Sequence, residues 1–236
     1  MGLINQFLLQ FLIISTLLLS CSNMNETNSY LNAPLKPIRM LSLGDSYTIG
    51  TSVDLEERFP AQVIALLRQR GFEVTEIELV AQNGWTSGEL LAGIRSSSVQ
   101  GLFDFVTLLI GVNNQFRDYD PHEYQQDFRE LLRIAIVFAG GRPERVVVLS
   151  IPDWGATPFA RGMDREQISQ DIDLFNQIKR FETQAVCAQY VDVTLLSRDV
   201  HDDPSLMAED GLHLSGKMYS MWAELVVEII LPTLQS

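Results

Sequence analysis

A serine, a carboxylate and an imidazole stand in turn-like stretches of this 236-residue chain. Ser46 lies in Gly44-Asp45-Ser46-Tyr47-Thr48, and Asp210 and His213 lie in Asp210-Gly211-Leu212-His213. A serine hydroxyl is a weak nucleophile at its ordinary pKa and needs a neighbouring imidazole to take its proton. The imidazole needs a carboxylate to fix its tautomer and to stabilise the imidazolium. Asp210 and His213 can supply both from a single turn. Acyl transfer also needs donors for the tetrahedral oxyanion, each worth about 3 kcal/mol of barrier. Three candidates exist: the N–H of Ser46, the N–H of Gly84 in Asn83-Gly84-Trp85-Thr86, and the side-chain amide of Asn113 in Gly111-Val112-Asn113-Asn114.

Each motif has a plainer reading. Gly-Asp-Ser is ordinary turn chemistry, Asp-x-x-His can be a helix cap with a histidine in the first turn, Gly84 can be a turn glycine and Asn113 a loop cap. The weight rests on their combination. The other histidines carry less: His122 follows Pro121 at a helix start and reads as solvated, and His201, in His201-Asp202-Asp203-Pro204, reads as surface. No His/Cys cluster has zinc spacing, so neither metal nor cofactor is expected. Asp153, in Ile151-Pro152-Asp153-Trp154, reads as a rim residue and the best backup acid. There is no GxxxxGK[ST], no GxGxxG after the first strand and no GxSxG.

Such residues act only if a scaffold brings them together, and the hydrophobic pattern predicts one. Strands are expected over 37–43, 73–81, 103–110, 145–150 and 190–194, the third being a nearly continuous apolar run as in a strand buried on both faces. Between them lie helical stripes. Phe59, Val63 and Leu66/Leu67 share a face over 57–70, with Gly71 as the stop. Thr86-Ser87-Gly88-Glu89 has the form of a capping box. Tyr124, Phe128, Leu131/Leu132 and Ala135 make a third stripe that ends at Gly140-Gly141. Ile168, Ile172 and Phe175 follow a start at Asp164/Gln167, and a closing helix over 213–230 is expected to turn Trp222, Leu225 and Ile229 inward. Strands alternating with helices imply a parallel sheet covered on both sides. In such sheets the ligand sits beyond the carboxyl ends of the strands, where the loops carrying Ser46, Gly84 and Asn113 are expected.

In order and approximate spacing, GDSY, the Gly84 loop, GVNN and DGLH resemble the four blocks of the SGNH (GDSL-type) hydrolases, from about residue 38 to the end. LLIGVNNQ and DGLH-x-SG are similar to the bacterial lipoprotein branch of that family. The resemblance implies an α/β fold, a flavodoxin-like three-layer α/β/α sandwich with a five-stranded parallel sheet. It implies Ser46 as nucleophile, Asp210 and His213 as its partners, and Ser46, Gly84 and Asn113 as the oxyanion hole. Two positions depart from the pattern: the third block is commonly GxND, where this chain has Asn114, and Leu214 stands where proline often follows the histidine. The expected activity is ester hydrolysis through an acyl-enzyme, with O-acetylated glycans, small esters and lysophospholipids all open as substrates. An acyltransferase using the same acyl-enzyme is the nearest alternative. A catalytically idle glycan-binding lipoprotein is the alternative of another class, and it has no need of both Ser46 and the Asp210/His213 pair.

Bulk properties bound the rest. The chain is 46% hydrophobic and 20% charged, ordinary for one globular domain. Its net charge of −13 argues against a broad basic patch for nucleic acid or anionic lipid. Phe7 to Ser20 is almost wholly apolar and ends at Cys21, and Leu18-Leu19-Ser20-Cys21 resembles a bacterial lipobox. The expected layout is a signal peptide over 1–20, lipidation at Cys21, a polar tether over 21–36 and a hydrolase domain over 37–236. Membrane contact is then expected through the anchor alone. An exported cell-envelope lipoprotein is expected, at the outer membrane or cell surface because Ser22 is not the aspartate that signals inner-membrane retention. Cys187, the other cysteine, reads as a small core hydrophobe.

Overall fold

The structure, a computed structural model, describes residues 37–235. The expected signal peptide, Cys21 and the tether lie outside the described residues. Five strands, β1 (Ile38–Gly44), β2 (Val74–Ala81), β3 (Phe105–Leu109), β4 (Val146–Leu149) and β5 (Gln189–Val191), form one sheet in the order β2-β1-β3-β4-β5. Every pairing is parallel, with Leu43 opposite both Val80 and Leu108, and Val148 opposite both Leu108 and Tyr190. This is the α/β arrangement expected from the alternation, and helices cover both faces. The strand order reverses at β1/β3, the point where parallel sheets of this kind open a crevice.

The helices are α1 (Ser46–Ile49), α2 (Phe59–Gln69), α3 (Ser87–Ser96), α4 (Val112–Phe116), α5 (Pro121–Phe138), α6 (Arg165–Ala185), α7 (Thr194–Arg198) and α8 (Gly216–Leu234). α2 packs on α8, while α5 packs between α3 and α6. Strands β1, β3 and β4 are buried at nearly every position because both faces are covered, so they read as apolar runs. The core includes Phe59, Phe105, Phe128 and Trp222, all fully buried. The capping box at α3 is present, with Thr86 and Glu89 satisfying each other's backbone N–H groups.

Three expectations change. The closing helix begins at Gly216, capped by Ser215, so His213 lies in the turn before it rather than in its first turn. The apolar face of α8 is carried by Met218, Tyr219, Trp222, Ala223, Val226, Val227 and Ile230, and Leu225 and Ile229 are only partly buried. Cys187 is exposed, not core, because it follows the C-cap Val186 of α6 in a left-handed conformation at φ 59. The short helices α1 and α4 have no periodic signature of their own; each is a turn of helix seated directly on a strand end. Among the described residues, no helix is long and apolar enough to cross a membrane.

Candidate active site

Ser46 is the first residue of α1. Asp45 caps that helix by accepting the N–H of Tyr47 at 3.1 Å. The N–H of a first helical residue has no intrahelical partner, which leaves the Ser46 amide available as a donor. The strand-to-helix turn is possible because residue 44 is glycine: a Cβ there would lie 2.4 Å from the Leu109 carbonyl and 2.1 Å from the Thr48 hydroxyl.

Asp210 and His213 are presented by a hairpin-like turn. Met207 and Leu214 form an antiparallel bridge, and the Ala208 N–H donates to the His213 carbonyl at 2.9 Å. The Asp210 carboxylate organises the turn. Its Oδ1 accepts the N–H groups of Leu212 (2.9 Å) and His213 (2.8 Å), and its Oδ2 lies 2.6 Å from His213 Nδ1. Ser52, in the loop between α1 and α2, donates its hydroxyl to the same Oδ2 at 2.6 Å. Burial raises the Asp210 pKa, but the Ser52 hydroxyl, the His213 ring and the two backbone N–H groups outweigh it and hold the carboxyl well below the usual carboxylate range. The imidazole packs edge-on against the ring of Tyr47, with centroids 5.6 Å apart.

The candidate oxyanion donors sit on adjacent loops. Gly84 follows β2 with φ +80, a conformation that favours glycine, and its carbonyl accepts from Arg117 Nη2 at 2.6 Å. Arg117 caps the end of α4 and also pairs with Glu89 at 3.3 Å. Asn113, in the first turn of α4, donates one amide hydrogen to the Trp85 carbonyl at 2.9 Å, which leaves the other to face a ligand. Asn114 is buried and faces away from the cavity. Its Oδ1 accepts the Ser87 N–H at 2.9 Å, and its Nδ2 donates to the Ser87 hydroxyl at 2.8 Å. That hydroxyl donates in turn to Asp127 at 2.8 Å. An aspartate at 114 would set two carboxylates against one hydroxyl, so the amide suits a chain that already carries Asp127.

Ser46, Gly84, Asn113 and His213 line one cavity of about 270 Å³, and Asn83, Tyr47, Val112, Phe116, Trp154, Phe159 and Leu212 complete its wall. Phe116, Trp154 and Phe159 contact one another with ring centroids 5.3 to 6.3 Å apart. The Trp154 indole is fixed by its N–H on Gln115 Oε1 at 2.7 Å. Buried Lys179 donates to the carbonyls of Ile110 (3.0 Å), just past β3, and Leu149 (2.6 Å), the last residue of β4. Burial pulls Lys179 down to about 7 and pushes Asp45 up to about 7, and the Coulombic attraction between them opposes both shifts.

Asp153 departs from expectation. It is buried rather than at the rim, and it accepts from Gly155 N–H (2.9 Å), the Ser169 hydroxyl (2.6 Å) and Arg198 Nε (2.9 Å). Its charge is compensated by Arg198 at the end of α7, and it does not line the cavity. His122 and His201 are exposed and stand apart from the cavity. Sequence reasoning missed Ser52, Arg117, Lys179 and the three aromatic rings, none of which belongs to a spacing motif.

Residues 42–221 match the family described as GDSL-like Lipase/Acylhydrolase. No curated protein matches the chain. Solved structures with the same fold include TesA (19% identity, 84% of this chain and 98% of that one, TM-score 0.62). They also include the psychrotrophic esterase EstA from Pseudoalteromonas sp. (16% identity, 84% and 99%, TM-score 0.64). A third is the acetylxylan esterase Axe2 from Geobacillus stearothermophilus (19% identity, 84% and 96%, TM-score 0.63).

Proposed function

The chain belongs to the GDSL-like lipase/acylhydrolase family and is a serine hydrolase of ester bonds, and we propose that Ser46 is its nucleophile, His213 its base and acid, and Asp210 the carboxylate that orients the imidazole. The Ser46 oxygen attacks the ester carbonyl while His213 takes the hydroxyl proton at Nε2, its Nδ1 being turned to Asp210. The oxyanion is received by the N–H groups of Ser46 and Gly84 and the free amide hydrogen of Asn113. His213 returns the proton to the departing alcohol. It then deprotonates a water that attacks the acyl-serine, releasing the acid and restoring the hydroxyl.

The observation that carries this reading is the single cavity on whose wall Ser46, Gly84, Asn113 and His213 meet. The same cavity supports a finer choice of substrate. An acetyl group has one methyl to bury, whereas Phe116, Trp154, Phe159, Val112 and Leu212 offer an apolar wall suited to an acyl chain of several carbons. The reading is therefore an esterase for apolar acyl esters rather than a dedicated deacetylase of glycans. The apolar run that ends at Cys21 supports export and lipid anchoring in the cell envelope, with residues 1–20 removed.

Hydrolysis of p-nitrophenyl octanoate and acetate by the protein and its Ser46→Ala variant tests the assignment. Loss of at least about a thousandfold in kcat is expected for the variant; equal rates would refute it. A Cys21→Ser variant is expected to leave the membrane fraction, and its retention there would refute the anchor.

A further inference from the structure

The geometry points to Ser52 as a positioning residue of this active site, one that shares the Asp210 carboxylate with His213 and links it to the nucleophile loop. This inference rests on the catalytic reading of Ser46, Asp210 and His213. Two donors meet at Asp210 Oδ2: His213 Nδ1 and Ser52 Oγ, each at 2.6 Å. The other oxygen is saturated by the N–H groups of Leu212 and His213. The carboxylate therefore has four donors and a fixed plane, and the imidazole hydrogen bond inherits that plane.

The backbone at Ser52 is the second observation. Its φ is 67, in the left-handed region that residues with a Cβ seldom occupy. A strained conformation persists only where its surroundings over-determine it, and such positions cluster at functional sites. Here the surroundings are the site itself. The Thr51 N–H donates to the Ser46 carbonyl at 3.0 Å, and the Thr51 hydroxyl donates to Asn83 Oδ1 at 2.6 Å, beside Gly84. The Gly50-Thr51-Ser52 segment thus touches the nucleophile, the oxyanion loop and the acid in three consecutive residues. Asp210 is 158 residues from Ser52 in sequence, so the contact ties the two ends of the domain at the point of chemistry.

The role has an electrostatic signature. A hydroxyl donated to Oδ2 draws charge from the oxygen that faces the imidazole. Without it, the carboxylate holds the imidazolium more tightly, so less acid is needed to trap the ring in its charged, inactive form. The other ionisable groups around the ring do not replace this effect. Tyr47, from α1, stays neutral because burial, with Asp45, Asp210 and Asp153 nearby, pushes its phenol far above its ordinary value. Glu57, just ahead of α2, packs on Gly216 at the start of α8 and makes no hydrogen bond to the Asp210 turn.

The test uses the full chain, p-nitrophenyl octanoate, and the variants Ser52→Ala and Ser52→Gly. Glycine removes the hydroxyl but relieves the left-handed backbone, so it keeps the test interpretable where alanine folds poorly. Both variants are expected to lose about 10- to 100-fold in kcat, the range for a hydrogen bond to a charged group, with KM within about twofold. The acid limb of the kcat/KM profile is expected to move to higher pH in both. Wild-type kcat in Ser52→Gly, or a loss in both variants with an unmoved acid limb, would overturn the role of Ser52. Indifference of a Ser46-dependent enzyme to Ser52→Ala would overturn it alone, whereas full activity in Ser46→Ala would remove the catalytic reading together with it.

Discussion

The aromatic wall makes a quantitative claim about acyl-chain length. Passing from an acetyl to an octanoyl ester adds six methylenes, which would contribute about 5 kcal/mol if each were fully buried at about 0.8 kcal/mol. The wall is half open, since Phe116 and Phe159 are themselves 49% and 42% exposed. About half of the contribution is then realised, about 2.5 kcal/mol, which is a preference of roughly 70-fold in kcat/KM for the longer ester. Replacing Phe116 and Phe159 together by alanine leaves buried Trp154 and Val112 and half-buried Leu212 in place. The double variant should lose about 1.5 kcal/mol of that preference, roughly tenfold on octanoate, while acetate hydrolysis stays within about twofold. Steady-state kinetics on p-nitrophenyl esters of two, four, six and eight carbons would read both numbers. A flat chain-length series in the parent protein would refute the reasoning, and so would an equal fall on acetate and octanoate in the variant.

Two further outcomes follow from contacts around the site. Arg117→Met removes the donor to the Gly84 carbonyl and should lower kcat about tenfold with KM little changed. Its exposed ion pair with Glu89 is worth little, so the melting temperature should barely move, and a change in KM alone would contradict the assigned role. Asp210 has a depressed folded pKa, so its ionisation contributes stability that is present above its unfolded value of 3.8 and lost as pH falls through the folded one. The melting temperature of the protein should therefore exceed that of Asp210→Asn by a constant margin above about pH 5, a margin that narrows below about pH 4; a gap independent of pH would refute the depressed carboxylate.

Much of the architecture was legible because burial leaves a mark on sequence. Strands β1, β3 and β4 are covered on both faces and are therefore mainly apolar, the buried hydroxyls of Ser42 and Thr107 satisfying each other, and α2, α5 and α6 each bury one stripe. The positions of Gly44, Ser46, Gly84, Asn113, Asp210 and His213 were legible because a strand-end turn demands particular residue types at short spacing. In the structure Gly44 ends β1, Ser46 and Asn113 lie in the short helices just beyond β1 and β3, Gly84 lies just past β2, and Asp210 and His213 lie in the turn before α8. Ser46, Gly84, Asn113 and His213 share one cavity wall.

What the sequence could not specify depends on partners distant along the chain. Lys179 sits in the buried stripe of α6 where periodicity alone would ask for an apolar side chain, and only the carbonyls of Ile110 and Leu149, brought above it by the sheet, account for an ammonium there. Asp153 could be taken for a rim acid until Arg198 and Ser169 were seen to enclose it. Phe116, Trp154 and Phe159 come from two different strand-end loops and become a wall only when β3 and β4 lie side by side. Spacing along the chain thus determined which chemistry the turns could hold. The folded sheet decided which side chains surround that chemistry, because hydrogen bonds and ring contacts form between neighbours in space and leave no period in the sequence.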